Sequence, residues 1–559
     1  MDQMVISRRS LLSSATLGAA AAAATGVGML GGTPAAANPL PDGATSPTVL
    51  DGLAVAKYSV MVPEIFVAPQ AVPTHMPALV IGSGFGGSIA ALRLGEAGIR
   101  TAVLERGLPW PRDPNRAIFA NDALPDGRAL WHRRSFTGIS GVPVATPKFG
   151  GVLDATDYAN IQVWRGAAVG GGSVVFTGVL IEPEERFFRT VFDDRVDFEK
   201  MHEVYYPRAR ARLKASPMPD DVYRSQPFGH SRVWDAQARK AGFEPQPLDS
   251  IFDWDVVRAE LDGRSRSSAT IGESNYGNSN AAKYDLTQNV LPAALATGNV
   301  SVHHSHVVDA IGRDSSGRYW VDIRVIAPGG KVQQTRRVTC DRLFLGAGSI
   351  GTSELLVKAK ALRTLPALSG AVGTGWGTNG DAALVRTCSL SEGLTQGSPS
   401  ASRVLDETGL PLSLENWYVP GLPLNVGLIG SLGMVLDSTR ASFRWDAATK
   451  KVVLDWPRGG NDRVVAALRA VHDKIARANF VGTGFPGLAP DVNASFTAHP
   501  LGGVVLGEAT DTFGRVNGYD GLYVVDGAAI PGSTGTVNPS LTIAALAERA
   551  MDDILARGI

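Results

Sequence analysis

Apolar residues in this chain gather in short continuous runs more often than in long stripes. Ala78-Leu79-Val80-Ile81, residues 100–104, Arg342-Leu343-Phe344-Leu345 and Leu522-Tyr523-Val524-Val525 are such runs, the pattern of strands buried on both faces of a parallel sheet. Residues 88–98 set Ile89, Leu92, Leu94 and Ala97 among small and polar neighbours, which predicts a helix closed by glycine. Residues 184–215, 285–295 and 541–556 also read as helical. Residues 300–308 alternate like one strand, residues 318–325 and 331–338 read as a hairpin around Gly329-Gly330, and residues 441–456 look like another. Residues 38–77 are proline-rich and read as irregular, and residues 275–280 as a polar turn. The chain thus leaves an α/β sheet after residue 110 and again after residue 350, and returns both times. That predicts an α/β fold: a Rossmann-like domain from residues 77–110, 275–350 and 510–559, and a discontinuous α+β domain from residues 111–274 and 351–509.

The first apolar run leads straight into Gly82-Ser83-Gly84-Phe85-Gly86-Gly87, and the second ends at Glu105. In a βαβ unit such glycines let backbone approach a pyrophosphate seated on the helix N-terminus, and the terminal acid accepts from a ribose hydroxyl. The bare spacing says little, because the chain has 64 glycines. G-x-G-x-x-G also begins at Gly26, Gly346, Gly375 and Gly482, but only the copy at Gly82 has strand, helix, second strand and acid in order. Glutamate rather than arginine at 105 suits an unphosphorylated ribose, as in FAD or NAD.

A length of 559 residues implies two or more domains, and a formal net charge of zero gives no electrostatic footprint for nucleic acid. Two cysteines, Cys340 and Cys388, cannot form a disulfide framework or a cysteine metal cluster. They read as buried thiols, with a single bridge as the alternative. Ser7-Arg8-Arg9-Ser10-Leu11-Leu12 precedes an alanine-rich apolar run, and Ala35-Ala36-Ala37 offers small residues for cleavage. Residues 1–37 therefore read as a twin-arginine signal peptide cleaved near Ala37, and the protein as secreted. Three histidines stand at 303, 304 and 306. On one continuous strand His304 and His306 would share a face and His303 would point away, and no acidic cluster accompanies them, so they read as strand residues and not as metal ligands.

Two further stretches carry chemistry. Gly170-Gly171-Gly172-Ser173 is either a flat bed for a planar ring or a flexible turn. Near the C-terminus, Thr497-Ala498-His499-Pro500-Leu501-Gly502-Gly503 is followed by Asp526-Gly527 at a strand end and by Asn538-Pro539 ahead of a helix. An aspartate and a backbone N–H there suit ribityl or phosphate groups, and a helix N-terminus favours an anionic reduced ring.

With these residues read, the chain resembles the glucose–methanol–choline oxidoreductase family, in its bacterial cholesterol oxidase branch with non-covalent FAD. The carriers are Gly82–Gly87 with Glu105, Gly170–Ser173, Tyr276-Gly277-Asn278, Gly375-Trp376-Gly377-Thr378-Asn379-Gly380, His499–Gly503, Asp526-Gly527 and Asn538-Pro539. The resemblance implies non-covalent FAD, a steroid-binding domain on a six-stranded sheet, and a monomer that uses O2 and touches sterol-containing membranes or lipid particles. It implies cofactor contacts from Gly82, Gly84, Phe85, Gly86, Gly87, Glu105, Gly170, Gly171, Gly172, Ser173, Asp526, Gly527 and Asn538. His499 matches the family histidine at the flavin, Asn538 the asparagine beside the ring, and Glu415 the carboxylate that moves a proton during isomerisation. A core histidine and a surface glutamate are the alternatives for His499 and Glu415. Phe176 and Thr177 stand where the family has asparagine and glycine. The expected activity is oxidation of a 3β-hydroxysteroid with isomerisation of the Δ5 ketone to the Δ4 ketone. The alternatives are a related FAD alcohol oxidase or dehydrogenase without isomerase activity, and a flavin-free sterol-binding protein.

Overall fold

A computed structural model describes residues 48–137, 143–387, 393–420, 424–484 and 491–558. The twin-arginine stretch, the cleavage position near Ala37, residues 38–47 and Cys388 lie outside them. The chain divides into Met1–Ser46 and Pro47–Ile559, and the architecture that follows is that of the second unit.

A seven-stranded sheet is built around strand His75–Ile81, which is flanked in parallel by Thr101–Leu104 and by the second half of Val332–Leu345. Val300–His303 extends the sheet beyond Thr101–Leu104, and Leu522–Val524 adds alongside Leu343–Leu345. Ala78 to Ile81 and Thr101 to Leu104 are all buried, as runs without polar alternation require. Helix Phe85–Glu96 lies between Val290–Ala296 and Ser540–Ala556. Its Arg93 donates to Glu548 at 2.6 Å and to Asp552 at 2.6 Å, which ties residues far apart in sequence.

Four expectations are corrected here. Residues 331–338 and 342–345 are one strand, because Thr339 and Cys340 between them still pair with His75 and Met76 on one side and with Trp320 and Tyr319 on the other. Pairing on both sides carries the strand through the gap between the two apolar runs. Residues 300–308 are two strands, not one. The chain turns at His304-Ser305, with Ser305 at φ +61°, and His306–Arg313 pairs antiparallel with Tyr319–Ile326. The turn reverses the expected faces: the His303 and His306 rings lie 5.8 Å apart, and His303 is bonded to the Gln70 carbonyl and Ser301. The helix expected over 285–295 starts only at Val290, because Asp285 instead accepts from Thr287 N and Oγ1 in a tight turn. Finally, the stretch read as irregular holds helix Val49–Met61, closed by a capping box in which Thr48 and Asp51 satisfy each other's backbone N–H. The charged stretch 184–215 is helical in successive short pieces.

The six-stranded sheet is antiparallel, in the order Val492–Asn493, Asp381–Thr387, Leu428–Val435, Leu412–Trp417, Ser402–Asp406 and Gln246–Pro247. Helices Gly229–Lys240 and Asp462–Asn479 cover one face, where Ala382, Leu384, Val404, Leu412, Leu414 and Val435 pack with Trp234 and Leu468. Strand residues alternate between faces. The opposite face therefore carries Asp381, Ala383, Leu432, Met434, Ser413, Glu415 and Arg403, linked by the registers Asp381–Met434–Ser413 and Ala383–Leu432–Glu415–Arg403.

Candidate active site

The glycine turn after strand His75–Ile81 and the triple-glycine turn meet. Gly170 N donates to Ser83 Oγ at 3.0 Å, and a Cβ on Gly171 would lie 2.7 Å from Gly84 Cα. The glycines serve two different ends. A Cβ on Gly86 would fall 1.6 Å from the Val525 carbonyl oxygen, and one on Gly87 would fall 2.1 Å from that of Gly82. These two are there for packing helix on strand. At Gly84 and Gly172, in contrast, a Cβ would meet no protein atom within 4 Å. Those two open positions sit at the N-terminus of helix Phe85–Glu96 and at the turn touching it, a cradle of backbone that fits a dinucleotide pyrophosphate.

The acids around this cradle are already held. Glu105 is buried and accepts from Ser83 N (3.1 Å), Ser83 Oγ (2.7 Å) and Gly107 N (2.8 Å). Asp526 accepts from Gly348 N (2.8 Å), Thr352 Oγ1 (2.6 Å) and Ala528 N (2.9 Å), while burial pushes its carboxyl up to about 6. It thereby joins the N-terminal turn of helix Gly348–Ala361 to the Gly527 turn, whose carbonyl accepts from Gly502 N. Ser173 Oγ is engaged by Gly170 O (2.7 Å) and Leu286 N (3.1 Å). Phe85 packs edge-on against Phe176 at 5.3 Å. Behind Phe176, the buried Lys283 ammonium donates to the carbonyls of Val174 (2.9 Å), Phe176 (2.6 Å) and Ser274 (3.2 Å).

The polar face of the six-stranded sheet supplies the rest. Glu415 is fully buried, which removes the surface-glutamate alternative, and neither of its oxygens has a hydrogen-bond partner among the described residues. Burial pushes its carboxyl up to about 8, with the cross-strand neighbour Arg403 and the amide of Asn538 acting in the opposite sense. Asn538 is itself buried with an unpartnered Oδ1. On the same face, Asp381 Oδ2 lies 3.3 Å from His499 Nδ1, with 13% of the histidine side chain exposed. Burial holds His499 down near 4 and lifts Asp381 to about 7. Glu415 and Asn538 are thus neighbours, and His499 finds a carboxylate that sequence reasoning did not assign. The available signal was weak: Asp381 directly follows Gly375–Gly380.

The family model described as GMC oxidoreductase matches residues 445–547, the stretch holding His499, Asp526 and Asn538. The chain is 28% identical over 553 residues to a cholesterol oxidase of Mycobacterium tuberculosis, covering 84% of this chain and 90% of that one. The chain carries a GMC oxidoreductase C-terminal domain and is homologous to bacterial cholesterol oxidases. A cholesterol oxidase of Acinetobacter baumannii is 25% identical over 549 residues, covering 86% of this chain and 94% of that one. In fold, the chain matches pyridoxine 4-oxidase from Mesorbium loti with a TM-score of 0.59 at 16% identity, covering 86% of this chain and 99% of that one. GMC oxidoreductases are flavoproteins, and the mixed α/β architecture seen here is shared with that solved structure.

Proposed function

We propose that this chain is a secreted, FAD-dependent 3β-hydroxysteroid oxidase that also converts its Δ5-3-ketone to the conjugated Δ4-3-ketone, passing electrons to O2 with release of H2O2. The observation that carries this reading is Glu415: a carboxyl buried without a hydrogen-bond partner, beside Asn538, on the same sheet face as the Asp381–His499 pair. A buried acid raised to about 8 is costly to keep, and carboxyls perturbed in this way cluster at sites that move protons.

FAD, bound non-covalently, would supply the hydride acceptor. Gly84 and Gly172 leave the room its pyrophosphate requires, at a helix N-terminus. Glu105 follows strand Thr101–Leu104, the place in a βαβ unit where a ribose would lie, and Asn538 with the N-terminus of helix Ser540–Ala556 would favour negative charge on the ring. His499 takes the hydroxyl proton as the carbinol carbon gives up hydride. Glu415 then takes a proton from the ring carbon next to the new carbonyl and returns it two carbons away. Leu432, Met434 and Trp417, on the same face as Glu415, add apolar surface that suits a sterol body. Export by the twin-arginine route suits a chain folded around its cofactor, and the expected partners remain the sterol, O2 and a sterol-bearing lipid surface met by a monomer.

One observation favours a second reading. Phe176, held by Lys283 and packed on Phe85, replaces the family asparagine beside the glycine loop, so another lipid or alcohol is the competing substrate. Anaerobic mixing of the purified holoprotein with a panel of sterols and simple alcohols, followed by air, separates the two. Bleaching of the flavin by 3β-hydroxysteroids, reoxidation by air and growth of enone absorbance support the proposal. Bleaching by simple alcohols alone rejects it.

A further inference from the structure

The segment that carries His499 is fixed to the start of strand Asp381–Thr387 at several points that do not involve the imidazole. Gly377 and Leu501 exchange backbone hydrogen bonds at 2.9 and 3.1 Å, Thr497 Oγ1 donates to the Thr378 carbonyl at 3.2 Å, and Ala498 N donates to Asp381 Oδ2 at 2.9 Å. Asp381 is therefore not needed at His499 Nδ1 to hold the chain in place. Its carboxylate nevertheless lies 3.3 Å from that nitrogen, fully buried, and its other oxygen has no partner among the described residues. Nδ1 makes no aligned hydrogen bond among the described residues, the approach to Asp381 Oδ2 being one of distance alone, and catalytic hydrogen bonds are often long or poorly aligned before substrate is seated.

We infer that Asp381 is a positioning residue for His499: its carboxylate accepts from Nδ1–H, selects that tautomer, and leaves Nε2 as the acceptor for the substrate hydroxyl proton. The chemistry is that of a carboxylate orienting an imidazole base, in which the carboxylate fixes the tautomer and stabilises the imidazolium as it forms. The inference rests on the proton-accepting role proposed above for His499. A protonated Asp381 would do the reverse, donating to Nδ1 and leaving Nε2–H as a donor unable to take a proton. Burial lifts the carboxyl to about 7, while the Ala498 N–H favours its ionised form, so the change of tautomer falls near neutral pH.

The other charged groups packed around this pair are otherwise occupied or turned away. Arg403 and Glu415 share the sheet face but sit two strands and more from Asp381. Arg386 is bonded to Gln237 and Ser431 on the helix-covered face. Arg440 donates to the carbonyls of Pro531, Asp437 and Thr439, and Asp526 accepts from Gly348, Thr352 and Ala528.

The test compares wild type, D381N, H499N and the double variant as holoproteins. D381N keeps the shape of the side chain and removes its charge, so whichever amide atom stands at the Oδ2 place, between Ala498 N–H and His499 Nδ1, the pull of the carboxylate on Nδ1–H is lost. In 15N-histidine-labelled protein, the His499 signal is the one of nine that disappears in H499N. It is expected as Nδ1–H in wild type above pH 7, and shifted towards Nε2–H in D381N. The limiting rate of anaerobic flavin reduction by sterol is expected to fall by about 10²- to 10⁴-fold in D381N, the scale of a misplaced tautomer. Flavin content and sterol affinity should stay within a few-fold, and the acid limb near pH 7 should vanish. On the H499N background, D381N should cost nothing further, since Asp381 acts only through the imidazole. Wild-type His499 found as Nε2–H, an unmoved acid limb in D381N, or additive losses in the double variant would overturn the inference. The wild-type NMR measurement needs no substrate, and H499N serves it only to assign the signal, so it decides the point even if sterols prove not to reduce the flavin.

Discussion

Replacing Glu415 with glutamine tests one group in two independent ways. The folded-state carboxyl is raised from 4.5 to about 8. Below pH 4.5 it is protonated whether the chain is folded or not, and it costs nothing. As pH rises from 4.5 to 8 the unfolded chain ionises and the folded one does not, so stability is lost at about 1.4 kcal/mol per pH unit. The accumulated cost is about 3 kcal/mol at pH 7 and about 5 kcal/mol by pH 8. Glutamine removes it. With an unfolding entropy of about 2.1 cal/mol/K per residue over roughly 500 ordered residues, 1 kcal/mol corresponds to about 1 °C in Tm. Flavin-release melting should therefore show E415Q level with wild type at pH 4.5 and about 5 °C above it at pH 8. In the same protein, cholesterol should still bleach the flavin while the Δ5-3-ketone accumulates in place of the ultraviolet-absorbing enone. In wild type, enone formation should climb nearly tenfold per pH unit below 8 and flatten above, because only the ionised carboxyl takes a ring proton. A Tm difference that does not grow with pH would refute the buried, uncompensated carboxyl. Wild-type enone rates in E415Q would show that another group moves the proton.

Other outcomes follow from the same geometry. Gly84→Val should give a folded chain that no longer retains FAD, because its side chain enters the open cradle, whereas Gly86→Ala should not fold, its Cβ colliding with the Val525 carbonyl; circular dichroism and flavin content distinguish the two. His499→Asn should lower the limiting rate of flavin reduction by about 10²-fold or more with little change in sterol affinity, as measured by stopped flow. Arg8→Lys together with Arg9→Lys should keep active enzyme inside the cell, as fractionation would show; unchanged export would argue against the twin-arginine route.

The sequence made the strand–glycine–helix unit from Ala78 to Glu105 legible because every cue in it is local: a continuous apolar run, glycines at a turn, a second run ending in an acid. The purpose of each glycine was not legible. Gly84 and Gly86 are equivalent in a spacing pattern, yet one faces open space and the other the backbone of Val525, which no nearby residue announces. Asp381 stayed hidden for the same reason, since its partner His499 lies on a distant segment brought close only by the sheet. Helix Val49–Met61 was missed for a different one. Its apolar Val49, Leu53 and Val60 are 60–81% exposed, while Asp51, Ala54 and Tyr58 are buried, so hydrophobic periodicity points the wrong way. The capping residues Thr48 and Asp51 were the better signal. Conversely, Glu415 aligned only loosely by its neighbours, and burial rather than pattern now separates it from a surface residue.

The close approach of Gly86 to Val525, and the grip of Arg93 on Glu548 and Asp552, also set a clock. The first half of the cofactor cradle leaves the ribosome early, but the strand that walls it comes near the other end of the chain, and the Arg93 partners Glu548 and Asp552 on the clamping helix follow 455 and 459 residues later. At about 5–20 residues per second that interval is between roughly 20 and 90 s. Throughout it the glycine turn lacks its wall, and the apolar faces of helix Phe85–Glu96 lack their cover. Flavin capture therefore belongs to the finished chain. A cell making this protein has to shield a half-built nucleotide site for most of a minute before there is anything to load.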